Sequence, residues 1–193
     1  MGIGTLKPQG AAPLRRAVFL DRAGVLNEVR IRDGKPFPPT GLDDVVVARG
    51  VREGLRRLHD GGFLLIGATN QPDVSRGVQR REVVEAINAL LTAELGLDEM
   101  RVCWHDDEDD CRCRKPRPGL LLEAAQAHGI ALEASYMVGD RWRDIEAGQA
   151  ARCRTVWVRA HYAERGPMRP ADFIAEDFAQ AADWILRDAA ARG

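Results

Sequence analysis

A chain of 193 residues, 45% of them hydrophobic, is long enough to bury a core unaided and too apolar for general disorder. Its formal net charge of −1, with 28 Lys and Arg against 29 Asp and Glu, leaves no basic footprint for nucleic acid. No apolar run approaches the ~18 residues of a membrane span. The opening MGIGTLKPQGAAPLRR also lacks the apolar stretch of a secretory signal, so a cytoplasmic protein is expected.

Residues 1–14, rich in Gly, Pro and small side chains, read as a flexible tail, and 15–193 as a single domain. AVFL (17–20) is an all-apolar run, the mark of a strand buried on both faces. GVREGLRRLHDGG places Val51, Leu55 and Leu58 on one helical face, with Gly61 as the stop. FLLIGAT (63–69) is a second buried strand, and RREVVEAINALLTAEL a helix with Val84, Ile87 and Leu91 inward. RVCW (101–104) follows as a strand. PGLLLEAAQAHG is then a helix with Pro118 near its first turn and Gly129 at its end. SYMVGD reads as strand, RDIEAGQAA as helix, RTVWV as strand and the closing EDFAQAADWILRDAAARG as an amphipathic helix. This alternation predicts an α/β domain, a doubly wound parallel sheet covered on both faces.

In such sheets functional side chains gather at the C-terminal ends of the strands. Those ends carry Asp21, then Thr69 and Asn70, then Asp140, with Asp144 one helical turn further on. Three such carboxylates suit Mg2+, which prefers oxygen ligands. A single Asp would more simply cap a turn or a helix; the set, followed by Lys115 in CRKPRPG, points to phosphoryl transfer, where charge stabilisation and positioning do most of the chemistry.

The four cysteines are unevenly placed. Cys103, His105, Cys111 and Cys113 form a Cys-x-His then Cys-x-Cys cluster, a closed four-ligand set for a structural Zn2+ that would brace the loop leading into Arg114 and Lys115. The alternative is reduced, unliganded thiols around a solvated acidic HDDEDD run. Cys153 reads as a small core residue, and Trp104, Trp142 and Trp157 as packing residues.

FLDRAGVLN, ATNQPDVSRG, CRKPRPG and MVGDRWRDIEAG, in that order, resemble the four motifs of the haloacid dehalogenase superfamily. Within it the chain is similar to the small, capless branch of histidinol-phosphate and D-glycero-D-manno-heptose 1,7-bisphosphate phosphatases, which carries a zinc loop before its CRKP. The resemblance implies a Rossmann-like core without a large cap, acting on a small phosphorylated metabolite; nothing in the sequence demands more than a monomer. It implies Asp21 as nucleophile, forming an aspartyl-phosphate. Mg2+ would lie between Asp21, the backbone carbonyl of Ala23 and Asp140, with Asp144 in support. Thr69 and Lys115 would hold the phosphoryl oxygens, while Asn70, Gln71, Arg114 and Arg141 would reach the substrate. A heptose 1,7-bisphosphate is the first expectation and histidinol phosphate the alternative.

The resemblance also implies an Asp general acid/base two places after the nucleophile, where this sequence has Ala23. A loss of about 10²–10⁴-fold in turnover is expected for poor leaving groups. Three explanations stand open: an engineered substitution, a pseudoenzyme that binds a phosphosugar, or different chemistry. Phosphonatases of the superfamily carry Ala there, but with a Schiff-base Lys from an inserted cap. Here Lys35 is the one lysine between the first motif and its helix.

Overall fold

The computed structural model describes residues 14–160 and 162–192, so most of the expected tail lies outside the described residues. In chain order the strands are β1 (Arg16–Leu20), β2 (Arg30–Arg32), β3 (Lys35–Phe37), β4 (Phe63–Asn70), β5 (Glu99–Cys103), β6 (Tyr136–Gly139), β7 (Arg154–Val158) and β8 (Phe173–Ala175). The α-helices are α1 (Val51–Asp60), α2 (Pro72–Ser75), α3 (Arg81–Leu95), α4 (Gly119–His128), α5 (Trp142–Ala150) and α6 (Phe178–Arg192).

Six strands form one parallel sheet in the order β5-β4-β1-β6-β7-β8. Because side chains alternate along a strand, β1 divides its apolar residues between two cores. Val18 and Leu20 face α1, α3 and α6 in a cluster with Leu55, Ile87 and Ile185. Ala17 and Phe19 join Leu64, Met137 and the α4 residues Leu120, Leu121 and Ala124 on the opposite face. The doubly wound expectation therefore holds, with no large cap inserted. Among the described residues no helix is long and apolar enough to cross a membrane.

The expected helices and central strands fall where their patterns place them, with small shifts at the ends. Pro118 is the N-cap of α4, next to its first turn as expected, and β5 begins two residues before RVCW. Besides short 3-10 turns, four elements were not expected: α2, β8 and the paired β2 and β3. The short α2 follows β4, and β8 adds an outer strand. A hairpin, β2–β3, folds over the C-terminal edge of the sheet; its turn, Asp33–Gly34, has positive φ at both residues (49° and 71°), the geometry that two-residue hairpin turns require.

The chain steps one way from β1 through β4 to β5, then returns to the other side of β1 for β6, β7 and β8. The order thus reverses between β1 and β6, and such a switch point opens a crevice beyond the strand ends. Asp21 follows β1 and Asp140 follows β6, so both stand at that crevice.

Candidate functional site

Asp21, Asp140 and Asp144 are all buried, and one carboxylate oxygen from each lies within 4.8 Å of the others. Lys115, only 2% exposed, reaches into this group from the loop before α4. Its Nζ lies 2.6 Å from Asp21 Oδ1, 2.6 Å from Asp144 Oδ1 and 2.6 Å from the Ala68 carbonyl. Burial works against the ammonium, but Asp144 and Asp21 outweigh it and hold its pKa above the ordinary lysine value.

Three carboxylates against one ammonium leave surplus negative charge. Burial first, and then the charges of Asp21 and Asp144, raise the Asp140 carboxyl well above the usual carboxylate range. Asp144 is pushed up to about 6, chiefly by burial, with Lys115 opposing. Asp140 Oδ1 is buried with no hydrogen-bond partner among the described residues. An orphaned carboxylate oxygen within an all-oxygen donor set fits a hard divalent cation such as Mg2+.

Thr69, the penultimate residue of β4, stands beside this group, and its hydroxyl oxygen accepts a hydrogen bond from Gln71 Nε2 at 2.9 Å. Gln71 Oε1 in turn accepts from Arg22 Nη2 at 3.2 Å, and Arg22 Nη1 donates to Asn88 Oδ1 at 2.9 Å. Arg22 is 1% exposed; burial lowers its pKa to about 10, against the favourable charge of Asp21. Because the Thr69 oxygen accepts from Gln71, its own O–H remains available to donate. Asn70 holds the backbone of Lys115 from both sides: Nδ2 donates to the Lys115 carbonyl at 3.0 Å, and Oδ1 accepts the Lys115 N–H at 3.1 Å.

A cavity of about 430 Å³ opens above these groups. Asp21, Ala23, Thr69 and Lys115 line its depth, and Lys35, Pro36, Phe37 and Pro38 of the hairpin form one wall. Arg76, Arg141 and Arg143 add cations at its sides. The arrangement can place a phosphate monoester against Asp21 with Lys115 and the Thr69 hydroxyl beside it.

The HAD-hyrolase-like family (Hydrolase_like) matches residues 112–181. The D-glycero-beta-D-manno-heptose-1,7-bisphosphate 7-phosphatase of Pseudomonas aeruginosa is 32% identical over 183 residues, covering 90% of this chain and 99% of that protein. The enzyme of the same name from Helicobacter pylori J99 is 35% identical over 145 residues, 72% of this chain and 80% of that protein. The chain belongs to the haloacid dehalogenase superfamily. Within that superfamily of phosphatases it falls in the D-glycero-D-manno-heptose-1,7-bisphosphate 7-phosphatase branch. The D,D-heptose 1,7-bisphosphate phosphatase of B. bronchiseptica, solved with magnesium and phosphate, superposes with a TM-score of 0.77 at 26% identity, covering 90% of this chain and 99% of that one.

The cysteine loop of the chain is compact. The Cys103, Cys111 and Cys113 sulfurs lie 3.2–3.7 Å apart, and His105 Nδ1 is 3.3 Å from the Cys113 sulfur. A tetrahedral site with Zn–S bonds of ~2.3 Å has edges of about 3.8 Å, so this cluster is consistent with zinc. No disulfide links these thiols.

Of the residues expected at the substrate, Asn70, Gln71 and Arg141 line the cavity, whereas Arg114 does not. Gln71 is 6% exposed, with its amide engaged behind Thr69. Arg114 faces the acidic loop: its Nε donates to Asp107 Oδ1 at 2.8 Å, and Nη1 donates to the His105 carbonyl. The HDDEDD run is accordingly not merely solvated. Asp107 also receives Arg143, while Asp106 takes Arg76 through both oxygens at 2.5 and 2.6 Å. The Arg114 hydrogen bond is the main cause that lowers Asp107 to about 2.

Sequence reasoning missed three groups at the site. Trp157, expected only to pack, donates its indole N–H to the Asp140 carbonyl at 3.0 Å. Tyr162 donates its hydroxyl to Asp140 Oδ2 at 2.5 Å, and Glu164 accepts from the Arg141 guanidinium. Burial and the Asp140 charge raise the Tyr162 phenol well above its usual pKa, so it remains a donor. The DG in RIRDGKPF, a strong hairpin signal between β-capable residues, would have found the Lys35–Pro38 wall. Nothing local in HYAERG marks Tyr162 or Glu164, because tertiary packing alone gives them their partners.

Proposed function

We propose that this protein hydrolyses a phosphate monoester of a small sugar, a D-glycero-D-manno-heptose 1,7-bisphosphate at its 7-phosphate, with turnover lowered by Ala23. The observation that carries this reading is Lys115 Nζ held 2.6 Å from both Asp21 and Asp144 at the floor of a cavity lined by Arg76, Arg141 and Arg143 together with Asp73 and Glu164. The names of the relatives supply the sugar.

Asp21 is the nucleophile: a carboxylate oxygen attacks phosphorus, the bond to the sugar oxygen breaks, that oxygen takes its proton from water, and a second water then hydrolyses the aspartyl-phosphate to inorganic phosphate and free Asp21. Lys115 and the Thr69 hydroxyl hold phosphoryl oxygens, while Asn70 and Gln71 fix those two groups. Arg141 lines the approach for the rest of the substrate. Asp21, Asp140 and the carbonyl of Ala23, with Asp144 in support, would hold Mg2+, which supplies positive charge against the phosphoryl oxygens. Cys103, His105, Cys111 and Cys113 would hold a structural Zn2+.

Ala23 presents a methyl group at the cavity, so it neither protonates the departing sugar oxygen nor activates water. Acid–base assistance is worth ~10²–10⁴-fold, and the intact remainder of the site retains binding and slow turnover. Ala23→Asp is therefore expected to raise kcat for heptose 1,7-bisphosphate with Mg2+ by about 10²–10⁴-fold. Added Asp21→Asn should abolish this gain. Release of no phosphate by Ala23→Asp from heptose bisphosphate, histidinol phosphate or a broad ester panel would overturn the enzyme reading and leave a phosphosugar-binding pseudoenzyme.

A further inference from the structure

Tyr162 fixes which oxygen of Asp140 is left for a cation. Its hydroxyl occupies Oδ2 at 2.5 Å, while Oδ1, buried, has no partner among the described residues. The Asp140 backbone is pinned as well, since its carbonyl accepts the Trp157 indole N–H at 3.0 Å. The space for this pair comes from Gly24 (φ +96°): a Cβ there would fall 1.8 Å from Asp140 Oδ2 and 2.7 Å from the Tyr162 oxygen.

The next two residues reach different elements. The Ala163 N–H donates to the Gly34 carbonyl, at the tip of the β2–β3 hairpin, at 2.8 Å. Gly34 meets Ala163 closely enough that a Cβ on Gly34 would lie 2.7 Å from the Ala163 Cβ. Glu164 Oε2 accepts from Arg141 Nε at 3.0 Å, at the N-terminus of α5. Three consecutive residues thus join a buried carboxylate, the hairpin wall of the cavity and the start of α5.

We propose that Tyr162 is a positioning residue for the divalent cation, holding Asp140 Oδ2 so that Oδ1 faces the ion, and that the 162–164 run links cation binding to the β2–β3 hairpin. The proposal rests on the reading of Asp21, Asp140 and Asp144 as a cation site. Groups that hydrogen-bond metal ligands typically change metal affinity by 10–100-fold when removed. Tyr162→Phe deletes one oxygen and keeps the ring, so the fold is expected to persist.

The test uses binding and hydrogen exchange on the zinc-replete protein, not turnover. Mn2+ titration followed by electron paramagnetic resonance, with Mg2+ in competition, should show a 10–100-fold weaker dissociation constant for Tyr162→Phe. Cation addition should slow amide exchange across residues 30–37 in the wild type, and much less in the variant. A purely structural role predicts instead a lower metal-free melting temperature with unchanged affinity, and that result overturns the proposal. Equal affinities with equal hairpin protection in the two proteins overturn it too. Absence of cation binding by the wild type would remove the cation site itself, whereas failure of Ala23→Asp to release phosphate bears only on the proposed reaction.

Discussion

Asp144 is the residue whose titration the fold alters in a measurable way. Its carboxyl is raised by burial to about 6 from an ordinary 3.8, and Asp140 shifts in the same direction. The folded chain therefore binds these protons more tightly than the unfolded chain. Stability from this source is complete below about pH 4 and is lost as pH rises through about 6. A shift of this size corresponds to something on the order of 3 kcal/mol. In Mg2+-free buffer, urea unfolding of the wild type and of Asp144→Asn should differ by a term that changes in this sense between pH 4 and 7. Saturating Mg2+ should flatten the difference, because the ion replaces the proton as the neutralising charge. A pH-independent difference would show that Lys115 alone neutralises Asp144.

The cysteine loop carries the corresponding prediction among the elements. About one zinc per chain is expected from a single closed set of four ligands, and Cys111→Ser should lose it. Its loss should open residues 104–114 to protease while the circular dichroism of the sheet persists, since β1, β4 and α4 pack together through Phe19, Leu64, Ile66, Leu120 and Leu121. Retention of a full equivalent of zinc by Cys111→Ser would refute the four-ligand site. Legibility also divides at this scale. β1, β4, β6 and the long helices were readable because each is long or apolar enough to impose its own period. β2 and β3 are three residues each, Arg-Ile-Arg and Lys-Pro-Phe, and carry no period, so only the Asp33–Gly34 turn between them marks the hairpin in the sequence. β8 is equally short and borrows its pairing from β7. At the site, residues at strand ends could be found from the chain alone. Tyr162, Glu164 and Arg22 could not, because their roles come from partners distant in sequence.

Across the whole molecule, the sheet divides its apolar side chains between two cores, and the site lies on neither. Leu65, 1% exposed on β4, belongs to the core shared with α1, α3 and α6. Leu65→Ala should cost about 2–5 kcal/mol in urea unfolding, the range for truncating a well-packed leucine. Val78→Ala, at a side chain that is 74% exposed, should stay within about 0.5 kcal/mol. Similar losses for the two would contradict the packing described. The reversal of strand order also explains why four sequence-distant motifs converge: β1 and β6 are neighbours in space, and the segments bearing Thr69 and Lys115 flank them.

The amide of Asn70 has a mechanical consequence. It meets both the N–H and the carbonyl of Lys115, so the last residue of β4 grips the main chain of the residue that carries the buried ammonium. The ammonium is thereby referenced to the end of a central strand as well as to the loop that delivers it. Asn70 works as a fiducial mark: it converts a loop residue, ordinarily the least exact component of an active site, into one aligned with the strand ends.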